Sequence, residues 1–214
     1  MVKMIVDLCG GSGSWSKPYV DSGYTVILVD PTPWWNYHYS KVIPSNLGWI
    51  PDLTVEEFRD SLGANTFEYP YGILAAPPCT HFSLSGAQYW KEKDADGRTE
   101  EHLKIVDACL DIIDIIKPEW WVLENPVGRL SRLRPDRLGK PRMYIQPYEY
   151  GDPWTKKTCL WGNFTEPEKN IVEPIRFTKQ GSWTQKYGGS SLNTKRNRSV
   201  TAPGFAQAFK EANP

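Results

Sequence analysis

The feature that most constrains this chain is a short apolar run that stops at two consecutive prolines. Residues 71–76 suit a buried strand, but Pro77 and Pro78 cannot donate to a sheet ladder, so the chain must leave the sheet there. Cys79 follows directly. The pattern predicts a thiol at the carboxyl end of a strand, where open α/β sheets bind ligands. A purely structural cysteine is the alternative, because cysteine is among the most buried residue types.

A second apolar run leads into a glycine-rich turn. Residues 3–8 are β-rich and run into Asp7-Leu8-Cys9-Gly10-Gly11-Ser12-Gly13, after which we predict a helix to about residue 22. The glycines permit positive φ angles and close approach of a ligand to the backbone. The next apolar run, residues 25–29, ends in Asp30, a position suited to binding ribose hydroxyls. The combination favours a nucleoside-containing cofactor.

Later elements complete an α/β pattern. Helical spacing of apolar residues from Leu103 to Ile116 predicts a core helix, and residues 120–123 predict a strand that ends at Glu124. Parallel strands deliver their carboxyl ends to one side of a sheet, so Cys79 and Glu124 are expected to flank a common pocket. The polar stretch 85–101 is predicted to be a mobile loop. We therefore predict one α/β domain over residues 1–214, with a doubly wound, mostly parallel sheet.

The segment between residues 31 and 62 is less regular at its start. Aromatic and proline residues predict an irregular loop, in which Trp34 or Trp35 is placed to stack on an adenine or simply to pack. Asp52 opens a predicted helix to residue 62. Its carboxylate either stabilises the first turn of that helix or contacts the cofactor.

Composition excludes several classes of protein. The chain is 40% hydrophobic and 23% charged, as in ordinary soluble globular domains. Its four cysteines form no C-x-x-C pair, so we expect neither a metal site nor a disulfide scaffold. No apolar run approaches membrane-spanning length and the amino terminus does not fit a signal peptide. We expect a cytoplasmic protein with reduced thiols and no membrane partner.

The net charge of zero conceals an uneven distribution of charge. The stretch 129–142 holds six basic residues against one acid, and the stretch 176–198 holds six basic residues and no acid. Solvated loops explain such runs in many proteins. Two basic stretches in a neutral protein also suit a phosphate-bearing partner, and this interpretation is favoured here. The basic residues are Arg129, Arg132, Arg134, Arg137, Lys140, Arg142, Arg176, Lys179, Lys186, Lys195, Arg196 and Arg198.

Together these motifs resemble the DNA (cytosine-5) methyltransferase family. Pro78-Cys79-Thr80-His81-Phe82-Ser83 is similar to its proline-cysteine-x-x-phenylalanine-serine signature, and Glu124-Asn125 to the start of its glutamate-asparagine-valine signature. The turn 7–13 resembles the cofactor turn, with Asp30 at the acidic position that follows. Residues 150–158 resemble the arginine block, where only Lys156 keeps a basic charge at an arginine position. Residues 200–205 resemble the carboxyl-terminal block of the family, a segment that returns to complete the cofactor site.

The chain departs from the larger members of this family. Only 41 residues lie between Thr158 and Val200, which leaves no room for a sizeable target-recognition domain. Pro126 replaces the usual valine of the glutamate-asparagine-valine signature without removing the carboxylate. The chain therefore resembles a compact member, of a kind that suits a phage or its bacterial host, and sequence-specific reading of DNA is not expected from it.

The resemblance implies a role for each matched residue. Cys79 is implied as the nucleophile that attacks carbon 6 of cytosine, and Glu124 as the acid that stabilises the charged ring. It implies S-adenosylmethionine as cofactor and DNA as partner. The implied cofactor-binding residues are Asp7, Leu8, Cys9, Gly10, Gly11, Gly13, Asp30, Asp52 and Pro78, and the implied substrate-binding residues are Ser83, Asn125, Arg129, Arg132 and Lys156.

Three functions remain open at this point. The leading one is methylation of carbon 5 of cytosine in DNA, and the second is the same chemistry on a free pyrimidine nucleotide such as dCMP. The third is a non-catalytic relative that binds nucleic acid. Retention of both Cys79 and Glu124 favours the enzymes over the binding protein.

Overall fold

A computed structural model describes residues 3–30, 41–42, 70–175 and 191–214. Several predictions lie outside these residues, namely those for Trp34, Trp35 and Asp52, the helix after Asp52, and the basic residues Arg176, Lys179 and Lys186. The side chains of Lys195 and Arg196 also lie outside the description.

The described residues form one seven-stranded sheet. Its strands are β1 (Met4–Leu8), β2 (Thr25–Val29), β3 (Lys41–Val42), β4 (Gly72–Ala75), β5 (Trp120–Pro126), β6 (Met143–Ile145) and β7 (Thr158–Asn163). The spatial order is β3-β2-β1-β4-β5-β7-β6. Strands β1 to β5 pair in parallel, and β7 runs antiparallel to both of its neighbours. The predicted mostly parallel α/β sheet is confirmed.

Helices cover both faces of this sheet. The α-helices are α1 (Lys17–Asp21), α2 (Trp90–Ala95), α3 (Arg98–Ile116), α4 (Leu130–Leu133), α5 (Leu192–Ser199) and α6 (Pro203–Ala212), and short 3₁₀ helices span Leu84–Tyr89 and Pro147–Glu149. Strands β1, β2 and β4 are buried on both faces, so they appear in the sequence as continuous apolar runs rather than as alternating ones.

Two apolar cores flank the sheet. One contains the inward face of α3, including Leu103, Val106 and Ile113, packed on residues of β1, β4 and β5. The other is aromatic. It joins Trp15 beside α1 to Phe205 and Phe209 of α6, with ring centroids 6.0 and 5.6 Å apart respectively. The end of the described chain is thereby packed back onto its beginning.

The prediction of a mobile loop at residues 85–101 is wrong. This stretch is almost wholly helical, comprising most of the 3₁₀ helix Leu84–Tyr89, then α2 and the first turn of α3. Its polar composition misled the prediction because these helices expose most of their surface. The few buried positions, among them Lys93 and Thr99, are held by polar contacts rather than by apolar packing.

Strand β5 is longer than predicted. It continues through Glu124 and Asn125 to Pro126, because β7 runs alongside and pairs with it over its last six residues. Glu124 lies opposite Leu160 in this ladder. The carboxylate is therefore carried by a strand and not by the loop that follows it.

A search of the described helices for one long and apolar enough to cross a bilayer found none.

The aromatic core makes a quantitative prediction about α6. Phe209 is fully buried against the rings of Trp15, Trp120 and Phe164, so Phe209→Ala should lower the free energy of unfolding by about 3–5 kcal/mol. Gln207 on the same helix is exposed, so Gln207→Ala should change the free energy of unfolding by less than about 0.5 kcal/mol. Urea denaturation of both variants provides the measurement, and equal losses would contradict the packing described.

Candidate active site at the carboxyl edge of the sheet

The turn after β1 has the left-handed backbone that its glycines permit. Cys9, Gly11 and Gly13 have φ angles of 57°, 49° and 64°. A side chain at Gly10 would lie 2.5 Å from the Leu28 side chain, so only glycine fits there without a shift. The backbone N–H of Gly11 donates to a carboxylate oxygen of Asp30 at 3.0 Å, which joins the ends of β1 and β2. Two predicted cofactor residues thus lie in contact.

Asp7 lies buried beneath this turn. The hydroxyl of Ser16 donates to its Oδ2 atom at 2.5 Å, whereas its buried Oδ1 atom has no hydrogen-bond partner among the described residues. Burial raises the pKa of Asp7 to about 7, the Ser16 bond opposes this rise, and the nearby Asp30 charge adds to it. The site therefore holds a carboxyl group that titrates near neutral pH.

The other cofactor candidates differ in what they can offer. The Leu8 side chain is fully buried in the core, so only its backbone is available to a ligand. Cys9 is half-buried and packs against the core that contains Cys109. Pro78 is exposed at the end of β4, beside Cys79.

Cys79 follows β4 and Glu124 lies on the neighbouring strand β5, and the two groups influence each other electrostatically. Burial raises the pKa of the Cys79 thiol, and the adjacent Glu124 carboxylate raises it further, while the charges of Lys156 and Arg198 lower it. Burial likewise raises the pKa of Glu124, against the charge of Lys156 and a hydrogen bond from Thr158. A thiol, a carboxyl group and two cations therefore lie close enough for their charges to influence the Cys79 thiol.

Two of these neighbours were not assigned by the sequence. Thr158 opens β7, and its hydroxyl lies 2.9 Å from the backbone oxygen of Lys156 as well as beside Glu124, so its single proton can serve only one of the two at a time. It occupies an arginine position of the block at residues 150–158, which was a signal that this position faces the site. Arg198 lies near the end of α5, just before the block at residues 200–205. It was counted only as part of a basic stretch.

Backbone contacts join the turn of Cys79 to the end of β5. The side-chain amide of Asn125 donates to the Pro77 oxygen at 2.9 Å, and Ser83 forms a bridge with Gly128. A side chain at Gly128 would lie 1.9 Å from the Phe82 oxygen, so this close approach requires glycine. Asn125 and Ser83, predicted to bind substrate, are both buried and take part in this junction. The Asn125 Oδ1 atom has no partner within the described chain.

The prediction that Arg129 and its neighbours present free charges to phosphate needs correction. Arg129 is only 7% exposed and pairs with Asp94, Arg134 pairs with Glu100 and Asp107, and Arg137 pairs with Asp111 and Asp114. The acids belong to α2 and α3. The stretch 129–142 therefore carries an excess of positive charge in the sequence, but acidic side chains from these helices neutralise it in the structure. Arg132 is exposed and remains a candidate phosphate contact.

The end of the described chain returns to the glycine turn. The backbone N–H of Thr201 donates to the Ser14 hydroxyl at 2.9 Å, and that of Gly204 donates to an Asp152 carboxylate oxygen at 2.7 Å. A side chain at Gly204 would lie 1.9 Å from the Tyr150 oxygen. The blocks at residues 150–158 and 200–205 therefore meet each other and the turn, as their order in the sequence implied.

Among the residues whose structure is described, no group of three or more His, Cys, Asp or Glu side chains is arranged to hold a metal ion.

Comparisons with known proteins agree with this geometry. The chain is 28% identical over 144 residues to the type II methyltransferase M.DdeI of Desulfomicrobium norvegicum, and 28% identical over 118 residues to M.SacI of Streptomyces achromogenes. These matches cover 66% and 55% of this chain. The chain is similar in sequence to these two type II methyltransferases. The predicted family resemblance is confirmed, although no family model matches the sequence.

The chain also shares its fold with a solved structure. The match is to a protein described as a DNA modification methyltransferase encoded within a prophage of E. coli, with a TM-score of 0.53 and 16% identity. It covers 81% of this chain and 52% of that one. The chain spans 31% and 28% of the length of the two curated relatives. The likeness to the solved structure shows the common fold.

The raised pKa of Asp7 predicts a dependence of stability on pH. The folded protein holds a proton on Asp7 up to about pH 7, whereas the unfolded chain loses it near 3.8, the ordinary pKa of an aspartate. The Asp7 contribution is therefore fully present at low pH and is lost as pH rises between these two values. Asp7→Asn should remove this loss. Thermal unfolding from pH 4 to 8 checks it, and parallel curves for the two proteins would show that Asp7 has an ordinary pKa.

Proposed function

We propose that the chain is an S-adenosylmethionine-dependent methyltransferase that modifies carbon 5 of cytosine in DNA through a covalent cysteine adduct. The observation that carries the proposal is that Cys79 and Glu124 follow from the paired strands β4 and β5 at the carboxyl edge of the sheet and influence each other electrostatically. The glycine turn after β1 lies at the same edge. A nucleophile and an acid thus lie beside a turn suited to a nucleoside-containing cofactor.

The turn has the features that S-adenosylmethionine requires. Asp30 lies at its rim, where its carboxylate can contact the ribose, and the buried Asp7 supports the turn from below. The left-handed residues Cys9, Gly11 and Gly13 bring the backbone to the surface of the turn. When bound, the cofactor supplies an electrophilic methyl group. Asp52 remains a further proposed contact.

The two central residues divide the chemistry between them. The Cys79 thiol must first ionise, which the positive charges of Lys156 and Arg198 favour, and its sulfur then forms a bond to carbon 6 of the base. This attack places negative charge on the ring. Burial raises the pKa of Glu124, which favours its protonated form, and in that form it can donate a hydrogen bond at ring nitrogen 3 and stabilise that charge. Carbon 5 thereby becomes nucleophilic enough to accept a methyl group.

Completion of the reaction restores the enzyme. After carbon 5 has gained the methyl group, it loses its proton, and the electron pair left behind expels the Cys79 sulfur from carbon 6. The thiolate is thus regenerated and the ring regains its double bond. The pocket must admit one base, so a duplex substrate would have to present that base flipped out of the stack.

The choice of DNA rests on the relatives, one of which is described as a DNA modification methyltransferase. Free dCMP is a second candidate because three arginines expected to contact phosphates are paired internally. A binding protein without catalysis is the third. Lys156, Arg198 and Arg132 are the proposed phosphate or substrate contacts that remain.

One assay separates these functions. The protein is incubated with radiolabelled S-adenosylmethionine and, separately, with duplex DNA, single-stranded DNA and dCMP. Label in DNA at 5-methylcytosine supports the proposal, and label in dCMP alone supports the second candidate. DNA binding without transfer to any substrate would favour the non-catalytic relative.

Replacement of the proposed nucleophile should abolish turnover. Cys79→Ser should leave no measurable methyl transfer, because a serine hydroxyl ionises far less readily than a thiol. Binding of S-adenosylmethionine, measured by calorimetry, should be almost unchanged. Cys159→Ser is the matched control, since this buried thiol lies on β7 and is also influenced by the Glu124 charge but is not the proposed nucleophile. Retained turnover in Cys79→Ser would exclude the covalent mechanism.

Replacement of the proposed acid should slow the reaction without removing the nucleophile. Glu124→Gln should reduce kcat by about 10²–10⁴-fold, the usual cost of losing an acid–base group. The amide preserves the shape of the side chain, so the Kd for S-adenosylmethionine should not change. A steady-state rate within twofold of wild type would remove Glu124 from the reaction.

A further inference from the structure

Arg129 makes an unusually large number of contacts for a residue outside the pocket. Its two terminal guanidinium nitrogens donate to the two carboxylate oxygens of Asp94, both at 2.7 Å, and one of them also donates to the Thr99 hydroxyl at 2.9 Å. The guanidinium lies over the ring of Trp90, 4.7 Å from its centroid. One side chain thus joins α2 and α3 to the segment that follows β5.

The same residue also holds the turn that carries Cys79. Its Nε–H donates to the His81 oxygen at 3.2 Å, and its backbone N–H donates to the Phe82 oxygen at 3.0 Å. Phe82 and Ser83 in turn donate their backbone N–H groups to the Cys79 oxygen. Arg129 is therefore one hydrogen-bonded step away from the backbone of Cys79.

A second contact supports the same turn from α2. The ammonium group of Lys93 is buried and donates to the Thr80 oxygen at 2.8 Å. Since Asp94 is the next residue, any shift of α2 would move both contacts together. The pKa of Asp94 is lowered to about 2 by its hydrogen bonds from Arg129 and Thr99, so this pair stays charged at any ordinary pH.

We propose that Arg129 is a positioning residue that, through its paired contact with Asp94, fixes the turn of Cys79 in reach of Glu124. The inference rests on the proposed function, because it concerns the same pocket. It adds that the Arg129–Asp94 pair, which lies outside the site, holds the Cys79 turn in place. A planar fork is required, since five donors in fixed geometry serve Asp94, Thr99 and His81 at once and a lysine ammonium cannot.

The test uses four variants of the full chain. Arg129→Gln removes the fork, Arg129→Lys keeps only the charge, and Asp94→Asn weakens the pair from its exposed side. Arg134→Gln is the matched control, because Arg134 makes a similar paired contact with Asp107 but does not touch the Cys79 turn. If Arg129→Gln does not fold, Asp94→Asn still decides the question, since Asp94 is half exposed.

Two readouts do not require any methyl transfer. The rate of alkylation of Cys79 by iodoacetamide, followed by mass spectrometry of its peptide, should rise about tenfold or more in the three Arg129 and Asp94 variants. Hydrogen exchange at the Phe82 and Ser83 amides should rise with it, whereas exchange in β2 should not. The Arg134→Gln protein should match wild type in both. Unchanged alkylation and exchange in the Asp94 and Arg129 variants would overturn the inference.

The third readout links the turn to the reaction. Arg129→Gln and Arg129→Lys should both lower kcat for methyl transfer by on the order of 10²-fold, as expected for misplacement of a reacting group, with the Kd for S-adenosylmethionine unchanged. Recovery of kcat in Arg129→Lys would show that charge alone suffices and would overturn the role of the fork. An inactive wild type would refute the proposed function instead, and the alkylation and exchange results would still decide the role of Arg129.

Discussion

The parallel register of β1, β2, β4 and β5 is the constraint on which the site depends. Leu8 pairs with both Val29 and Ala75, so β1, β2 and β4 end at one level of the sheet, and β5 passes that level at Leu123, which pairs with Ala75. Each sends its next residues to the same edge. The glycine turn, Asp30, Cys79 and Glu124 therefore meet although more than a hundred residues separate the first from the last.

Two carboxyl groups at this edge of the sheet are buried among different neighbours, and both have a raised pKa. Asp7 lies under the turn with Ser16 as partner, and Glu124 lies in a strand with Lys156 and Thr158 nearby. In both, loss of water raises the pKa and favours the protonated form. The site thus contains two carboxyl groups that hold their protons to higher pH than exposed carboxyl groups do.

Much of this arrangement could be predicted from local sequence, and the rest depended on long-range contacts. Strands β2 and β4 end where Asp30 and the two prolines indicated, and Cys79 and Glu124 lie on or beside adjacent parallel strands, as the pattern of apolar runs predicted. The stretch 85–101 and the pairing of Arg129 were missed together. Polar helices that are held by charge pairs carry no apolar periodicity, and the acids that neutralise the arginines lie elsewhere in the chain.

The backbone of Cys9 has a consequence for which residues this position can accept. A non-glycine residue at φ 57° costs about 1–2 kcal/mol, yet its thiol packs on the core beside Cys109. Glycine would relieve the backbone but leave that contact empty, and a β-branched residue would worsen the backbone further. Backbone strain thus favours glycine at position 9, whereas packing against the core favours a larger side chain. Few residue types satisfy both requirements, so we expect position 9 to tolerate few substitutions even if its side chain takes no part in the chemistry.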